Sequence, residues 1–458
     1  MKRLTVVVSL LFLLSGAAAA QVTDGVELTL QECIRIALEN NSTLRITQTQ
    51  KEIAGTQVTS ATAAWLPSIS TSFSSGRYFQ GARAVKTDVP VGFDETSGKF
   101  LYRQYEITQE ATERNSHSAR LSINQNIFDF GQTLYSIKSS KAYQQASEQN
   151  VISTRQAVIY NVKRAFYELL KAIRLERVYQ EAATLAEDEV NRAQTMMDIG
   201  ITSQAEVFQA KVSLGNARTS LITQSNAVEI SKAQLNNALG RNPSLTVSVK
   251  EVASEPIFPT ITFDEAVKTA IQNSAEIKAL NFQAKASQYA VRMAQSRYMP
   301  NIGANISYSR SNDDIGRVYT SNLDEDFTAS LGIGLDLNIF KGFADKANSQ
   351  RAQLNHQVDL ENLAERKRTL TAEVRQYFLQ LEAYKDFIEI NQQNIEAARE
   401  NLRLQQEKRR VGSGTELEVS QAQVELTRAQ ANLVQAEYEA KISKAHLEAA
   451  MGMGDVAQ

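Results

Sequence analysis

The sequence predicts a mainly α-helical fold that carries a membrane β-barrel part, assembled from one unit written twice. Three observations predict it. The first is duplication. Leu28, Glu32, Ala37, Asn40, Leu44 and Pro67 recur 233 positions later as Ile261, Glu265, Ala270, Asn273, Ile277 and Pro300. Further on the offset is 212, so that Asn126, Ile127 and Phe128 return as Asn338, Ile339 and Phe340, and Gly200 returns as Gly412. The 21-residue difference falls between Pro67 and Asn126: one loop absorbs an insertion while the long elements tolerate no slippage. The second observation is a spacing of alternate 3 and 4 residues through Val374, Tyr377, Leu381, Tyr384 and Ile388, then Ile395, Ala398 and Leu402. That is the seam of a coiled coil. The third is strict alternation in Leu331, Ile333, Leu335, Leu337 and Ile339, with small or polar residues between them. That is a strand with one apolar and one polar face.

Taken in order, residues 1–20 read as an export signal: Lys2 and Arg3, an apolar run from Leu4 to Leu14, then Ala18 to Ala20 before Gln21. The single cysteine, Cys33, has no partner for an internal disulfide. Beyond the signal no run approaches the ~18 apolar residues of a spanning helix. Without Lys2 and Arg3 the chain has 47 basic and 51 acidic residues, a balance that favours neither nucleic acid nor an anionic surface.

Residues 21–242 form the expected first repeat. It holds a strand pair at about 67–79 and 118–128, with Ile69, Thr71 and Phe73 in one strand and Leu121, Ile123 and Ile127 in the other. A helix from Gln132 to Ile199 follows and turns back near Gly200 into a seam through Val207, Ala210, Leu214, Ala217 and Leu221. The stretch 243–260, with Pro243, Pro256 and Pro259, is the expected linker. Residues 261–458 repeat the scheme. Their strands lie at about 300–310 and 328–340, their helix runs from Gly342 to Val411, and their turn is near Gly412. The return seam runs through Val419, Ala422, Leu426, Ala429, Leu433, Ala436 and Ala440. Each long helix has 68 to 70 residues, on the order of 100 Å at ~1.5 Å per residue. A helix of that length is a rod and not part of one compact domain.

Four strands do not close a membrane barrel, and open edges are costly in lipid. A soluble sandwich lacks its second sheet. If the strands span a membrane, copies share one barrel: eight strands from a dimer, or twelve from a trimer with more room for water. The long seams also ask for partners.

A duplicated strand-pair and long-helix chain of this kind resembles the TolC-like outer membrane factors. The resemblance is carried by Trp65-Leu66-Pro67 and Tyr298-Met299-Pro300 leading into strands, by Asn338-Ile339-Phe340 closing one, and by Val411, Gly412, Thr415, Glu418 and Val419 at a helix turn. It covers essentially the whole chain after residue 20. It implies a homotrimer, with a 12-stranded barrel in the outer membrane continued by a helical barrel across the periplasm. It also implies a periplasmic adaptor and an inner-membrane pump of the RND or ABC type. The two turns, Asp198, Ile199, Gly200, Ile201, Thr202, Ser203 and Arg410, Val411, Gly412, Ser413, Gly414, Thr415, are then the tips that meet the adaptor.

The resemblance further implies an entrance closed near the tips. Glu418 stands at one acidic position of that gate and Glu206 is its repeat mate. The next acidic position is Gln421 here, and the tyrosine common three before the glycine is Arg409. A charge latch from Arg409 or Arg410 to Glu206 or Glu418 is the expectation, against two solvated side chains on a helix surface.

No enzyme signature accompanies these features. His117, His356 and His446 are far apart in sequence and from Cys33, no phosphate loop is present, and no cofactor is implied. Asp313-Asp314 and Asp324-Glu325-Asp326 read as solvated loop acids, and Met196-Met197 as packing. The expected function is a passive exit duct for small-molecule or drug efflux. Type I protein secretion is the alternative cargo. A barrel-anchored trimeric surface protein is the rival class, and it leaves the duplication of strands unexplained.

Overall fold

The computed structural model describes residues 27–251, 257–258, 261–320 and 322–453. The expected export signal and part of the linker, 252–256 and 259–260, lie outside the described residues. In chain order the elements are β1 (Glu27–Leu28), α1 (Leu30–Asn40), α2 (Ser42–Ala63), β2 (Ser68–Gln80), β3 (Arg83–Asp94), β4 (Lys99–Gln109), β5 (Thr112–Phe128), α3 (Gln132–Asp198) and α4 (Gln204–Ala238). The second half continues with β6 (Ser248–Val249), α5 (Phe263–Asn273), α6 (Ala275–Ser296), β7 (Asn301–Asn312), α7 (Ile315–Val318), β8 (Phe327–Asp336), α8 (Ala344–Arg410) and α9 (Glu416–Ala450). No described helix is long and apolar enough to cross a membrane.

Two compact units emerge, each drawing on both halves of the sequence. One takes the chain up to Gln48, Asn150–Glu276 and Arg366 onward; the other takes Thr49–Gln149 and Ile277–Glu365.

In the first unit the duplication is visible residue by residue. Helices α1 and α5 open on the same device: Thr29 and Glu32, and Thr262 and Glu265, exchange side-chain and backbone hydrogen bonds across the first turn. Each such box satisfies two orphan helix donors. Their mates Ala37 and Ala270 are both fully buried. A core of Cys33, Ile36, Val158, Val162, Phe166, Leu169, Leu235 and Leu239 packs beneath the short parallel pair β1–β6. At the rim of this core Glu251 accepts from Arg174 (2.8 Å), Tyr438 (2.9 Å) and Lys441 (3.0 Å). Burial alone would raise its carboxyl; these hydrogen bonds outweigh it and hold the group at about 2.

In the second unit β2, β5, β7 and β8 form one antiparallel sheet in that order. The faces differ in character, because side chains alternate along a strand. One face carries Ile69, Phe73, Leu121, Ile123, Ile306, Leu331, Ile333 and Leu335, with Leu331 77% and Ile333 75% exposed. The other is mainly serine, asparagine and glycine, with Arg120 and Asp336 as charged members, and is knitted by Ser74–Ser118 (2.7 Å), Asn305–Asn124 (2.7 Å) and Ser307–Ser330 (2.8 Å). An exposed apolar face opposite a polar one is the pattern of a strand between lipid and water.

Two expectations change here. The segment expected as a loop between Phe79 and Ser118 is largely a second two-stranded ribbon, β3–β4, whose register runs on from β2–β5. Its sequence hides the strands because the alternation is short: Val85 with Ile107 and Lys86 with Glu106 lie on opposite faces, but Val89 then opposes Arg103 and the register shifts after Pro90. And β8 stops at Asp336, although the apolar alternation continues to Ile339. Asp336 pairs with Asn301, the first residue of β7, so the partner strand has run out.

Candidate functional site

The long hairpins reverse where glycines were expected. In α3 the Gly200 amide bonds to the Met197 carbonyl (2.9 Å) and the Ile201 amide to that of Met196 (2.8 Å). In α8 the Gly412 amide bonds to Arg409 (3.0 Å) and that of Ser413 to Lys408 (2.9 Å). Both glycines have φ +79°, the left-handed backbone such helix ends require. The seams below them close as expected: Leu402, Val419, Ala422 and Leu426 with Ile395 and Ala398 in one hairpin, and Ala193, Val207 and Ala210 with Val190 and Met197 in the other. Ser213 of α4 bonds to Ser420 of α9 at 2.7 Å and ties the hairpins together.

Three apolar side chains stand exposed at the turns. Ile199 is 65% exposed, Ile201 71% and Val411 69%. Asp198, Gly200, Ser203, Arg410, Gly412, Ser413 and Thr415 are exposed beside them, with Thr202 and Gly414 half-buried.

The charges sit elsewhere than the sequence suggested. Arg409 does not reach Glu206 or Glu418. It turns inward, donating to Glu189 of α3 (2.5 Å) and pairing with Glu416 at the start of α9. The three side chains are 8%, 4% and 3% exposed. Arg192 gives Glu189 a second partner at 2.8 Å.

Glu418 is occupied differently: it closes the capping box of α9 with Thr415, whose amide and hydroxyl hold its carboxyl below the usual range. Arg410 pairs with Glu407 on its own helix (2.9 Å), and Gln421 is exposed. At the repeat mate, Ser203 makes no side-chain cap bond, and Glu206 accepts instead from the Thr202 hydroxyl at 2.5 Å.

Sequence reasoning missed Glu189, Arg192 and Glu416. A signal for Glu189 exists: Ala186, Glu189 and Ala193 step by 3 and 4 and are all buried, so an acid occupies a seam position. For Glu416 the structure alone supplies the reason. Burial pushes its carboxyl up, Arg409 pulls it down, and the acids Glu189 and Glu206 push it up again, to about 7.

Among the described residues no group of three metal-ligating side chains occurs. His446 stacks on Tyr377 and packs against the tilted ring of Tyr160, and Met197 packs in a seam. Asp314 caps α7 and Asp326 accepts from Asn312. These are structural roles. What the geometry offers in the first unit is a pair of helix turns with exposed apolar side chains, linked by a buried charge cluster; in the second unit it is a sheet with one mainly apolar and one mainly polar face.

The sequence profile of the outer membrane efflux protein family matches residues 33–241 and 266–453. The chain belongs to that family. Outer membrane efflux protein BepC of Brucella suis is 23% identical over 240 residues, which span 52% of this chain and 51% of that protein. Outer membrane protein TolC of Vibrio cholerae is 21% identical over 349 residues, 76% of this chain and 73% of that one. The fold matches the crystal structure of the CusC channel with a TM-score of 0.78 at 15% identity, covering 93% of this chain and 92% of that one. The fold is therefore TolC-like, and the protein is an outer membrane protein that extends into the periplasm.

Proposed function

We propose that three copies of this chain form a passive exit duct for small molecules, opened from the periplasm by an adaptor joined to an inner-membrane pump. The observation that carries the reading is the exposed apolar pair of tips. Ile199, Ile201 and Val411 crown two reversals made by the same hydrogen bonds, and apolar side chains left exposed at both turns support a docking surface there. The sheet supports the rest. Its edges, β2 and β8, have no partner strand among the described residues, and in lipid such edges must be paired by neighbouring copies. Three sheets of four strands give twelve, enough for a water-filled barrel. Transport energy then comes from the pump. Efflux as the task follows the family and the printed name of the Brucella relative.

A photo-crosslinking residue in place of the exposed Ser413 tests this in cells. Capture of a periplasmic adaptor supports the duct, and the pump that copurifies with the adaptor assigns the cargo class. Capture of neighbouring copies alone, with the trimer present, favours a stalk or surface protein.

A further inference from the structure

The polar face of the four-stranded sheet is laid out in layers, one residue from each strand. Reading away from the helices, the layers are Ser68, Asn124, Asn305 and Gly332; then Ser70, Ser122, Ser307 and Ser330; then Ser72, Arg120, Ser309 and Thr328. Ser74, Ser118 and Ser311 follow, beyond the end of β8. Across this stretch the face carries two charged residues. Asp336 lies at the end next to α8, and Arg120 lies in the layer where β8 begins.

The Arg120 side chain is exposed and makes no hydrogen bond or ion pair among the described residues. Every neighbour on its layer is a small hydroxyl side chain, so nothing nearby cancels its charge. Arg310, on the opposite face, is the contrast: it is 3% exposed and gives both guanidinium ends to the carbonyls of Thr320 (3.1 Å) and Arg317 (2.7 Å). One arginine is structural. The other is presented to whatever fills the polar side.

We infer that Arg120 sets the charge preference of the duct, its three copies forming a cationic ring that favours anionic solutes near the outer mouth. This rests on the trimeric duct proposed above. The ring lies at the outer end because β2 and β7 enter the sheet from helices at Ser68 and Asn301, and Arg120 is on the far side. Guanidinium groups remain charged at all relevant pH and suit carboxylates, sulfonates and phosphates. Three unit charges about 10 Å away in water at 0.1 M salt enrich a monovalent anion about twofold and deplete a cation about as much.

The test is the reactivity of Ser309→Cys, a residue of the same layer, toward an anionic and a cationic methanethiosulfonate reagent added outside intact cells. Cys33 does not interfere: it is fully buried, and burial pushes its thiol up to about 12. Replacing Arg120 by serine is expected to lower the anionic-to-cationic rate ratio about fourfold. Arg120→Lys is expected to keep the ratio, and Arg120→Gln to behave as the serine variant if that one assembles poorly. An unchanged ratio in Arg120→Ser and Arg120→Gln overturns the ring. A Ser309→Cys that reacts with neither reagent shows that the polar face is not water-lined, which removes the duct itself.

Discussion

Replacing Arg409 by alanine removes the cation that touches both Glu189 and Glu416. Both acids are nearly inaccessible, at 4% and 3%, so water does not simply take the guanidinium's place. Glu189 keeps Arg192 at 2.8 Å, whereas Glu416 has no other ionic partner among the described residues. Stripping one partner from a buried pair costs about 3–5 kcal/mol. Protonation limits that cost, and its sign sets the pH window. Glu416 titrates at about 7 in the folded tip, above its ordinary 4.5, so ionising it destabilises the tip. The penalty is absent below the ordinary value, grows as pH rises, and is complete above 7, on the order of 3 kcal/mol.

Without Arg409 the carboxyl rises further, so the variant is close to wild type at pH 6 and loosened at pH 8. Hydrogen exchange of the tip amides, 185–206 and 405–420, measured at both pH values, reads the loosening. Single-channel conductance, expected to increase at pH 8, reads its consequence for the entrance. Adding Glu416→Gln to the variant should restore most of the protection. The reasoning fails if Arg409→Ala exchanges and conducts like wild type at pH 8, or if the loss is the same at pH 6.

Three further outcomes follow from the same structure. Gly240→Ala should lower the melting temperature by an amount equivalent to at least about 1–3 kcal/mol, because φ is +72° and the added carbon would stand 2.8 Å from the Asn40 carbonyl oxygen; an unchanged melt refutes the close packing. Thr415→Ala should destabilise the start of α9 by about 1 kcal/mol, seen as faster exchange there, and its mate Ser203→Ala should do far less because that hydroxyl makes no cap bond. Replacing residues 82–110 by an Asn-Gly turn should leave the trimer intact on a non-denaturing gel, since the register from Ser68↔Asn124 to Gln80↔Thr112 involves none of them.

Much of the fold was legible because geometry imposes period. Lipid against water forces alternation in β8, so Leu331, Ile333 and Leu335 announce it. Helix packing forces the 3-and-4 spacing that Leu402, Val419, Ala422 and Leu426 obey, and positive φ forces glycine at 200 and 412. The ribbon β3–β4 escaped because its alternation is brief: Val85 and Thr87 share a face with Ile107 and Tyr105, but Val89 opposes Arg103 and the register shifts after Pro90. The tips escaped in part for another reason. Which acid an arginine meets depends on helix rotation and on the facing hairpin, and Glu189 lies 220 residues from Arg409. Glu418 stands at a gate position by the resemblance, and its spacing to Thr415 is also that of a capping box, whose local bonds it makes.

The two hairpins share their turns but not their charges, and that difference bears on how an entrance can open. At the 212-residue offset, Arg409 corresponds to Met197 and Glu416 to Gln204. In the first hairpin the Met197 position is filled by an apolar side chain packed against Ala193, Val207 and Ala210. In the second it carries an arginine that leaves its own hairpin to reach Glu189 on the first. An apolar seam holds a hairpin to itself and is insensitive to direction of pull. A buried ion pair between hairpins is strong while desolvated and weak once water enters, because the interaction falls from the buried to the exposed regime over a small displacement. Duplication therefore supplies two hairpins, and divergence at one pair of positions supplies a bond between them, the one that an adaptor's push would have to break in the proposed duct.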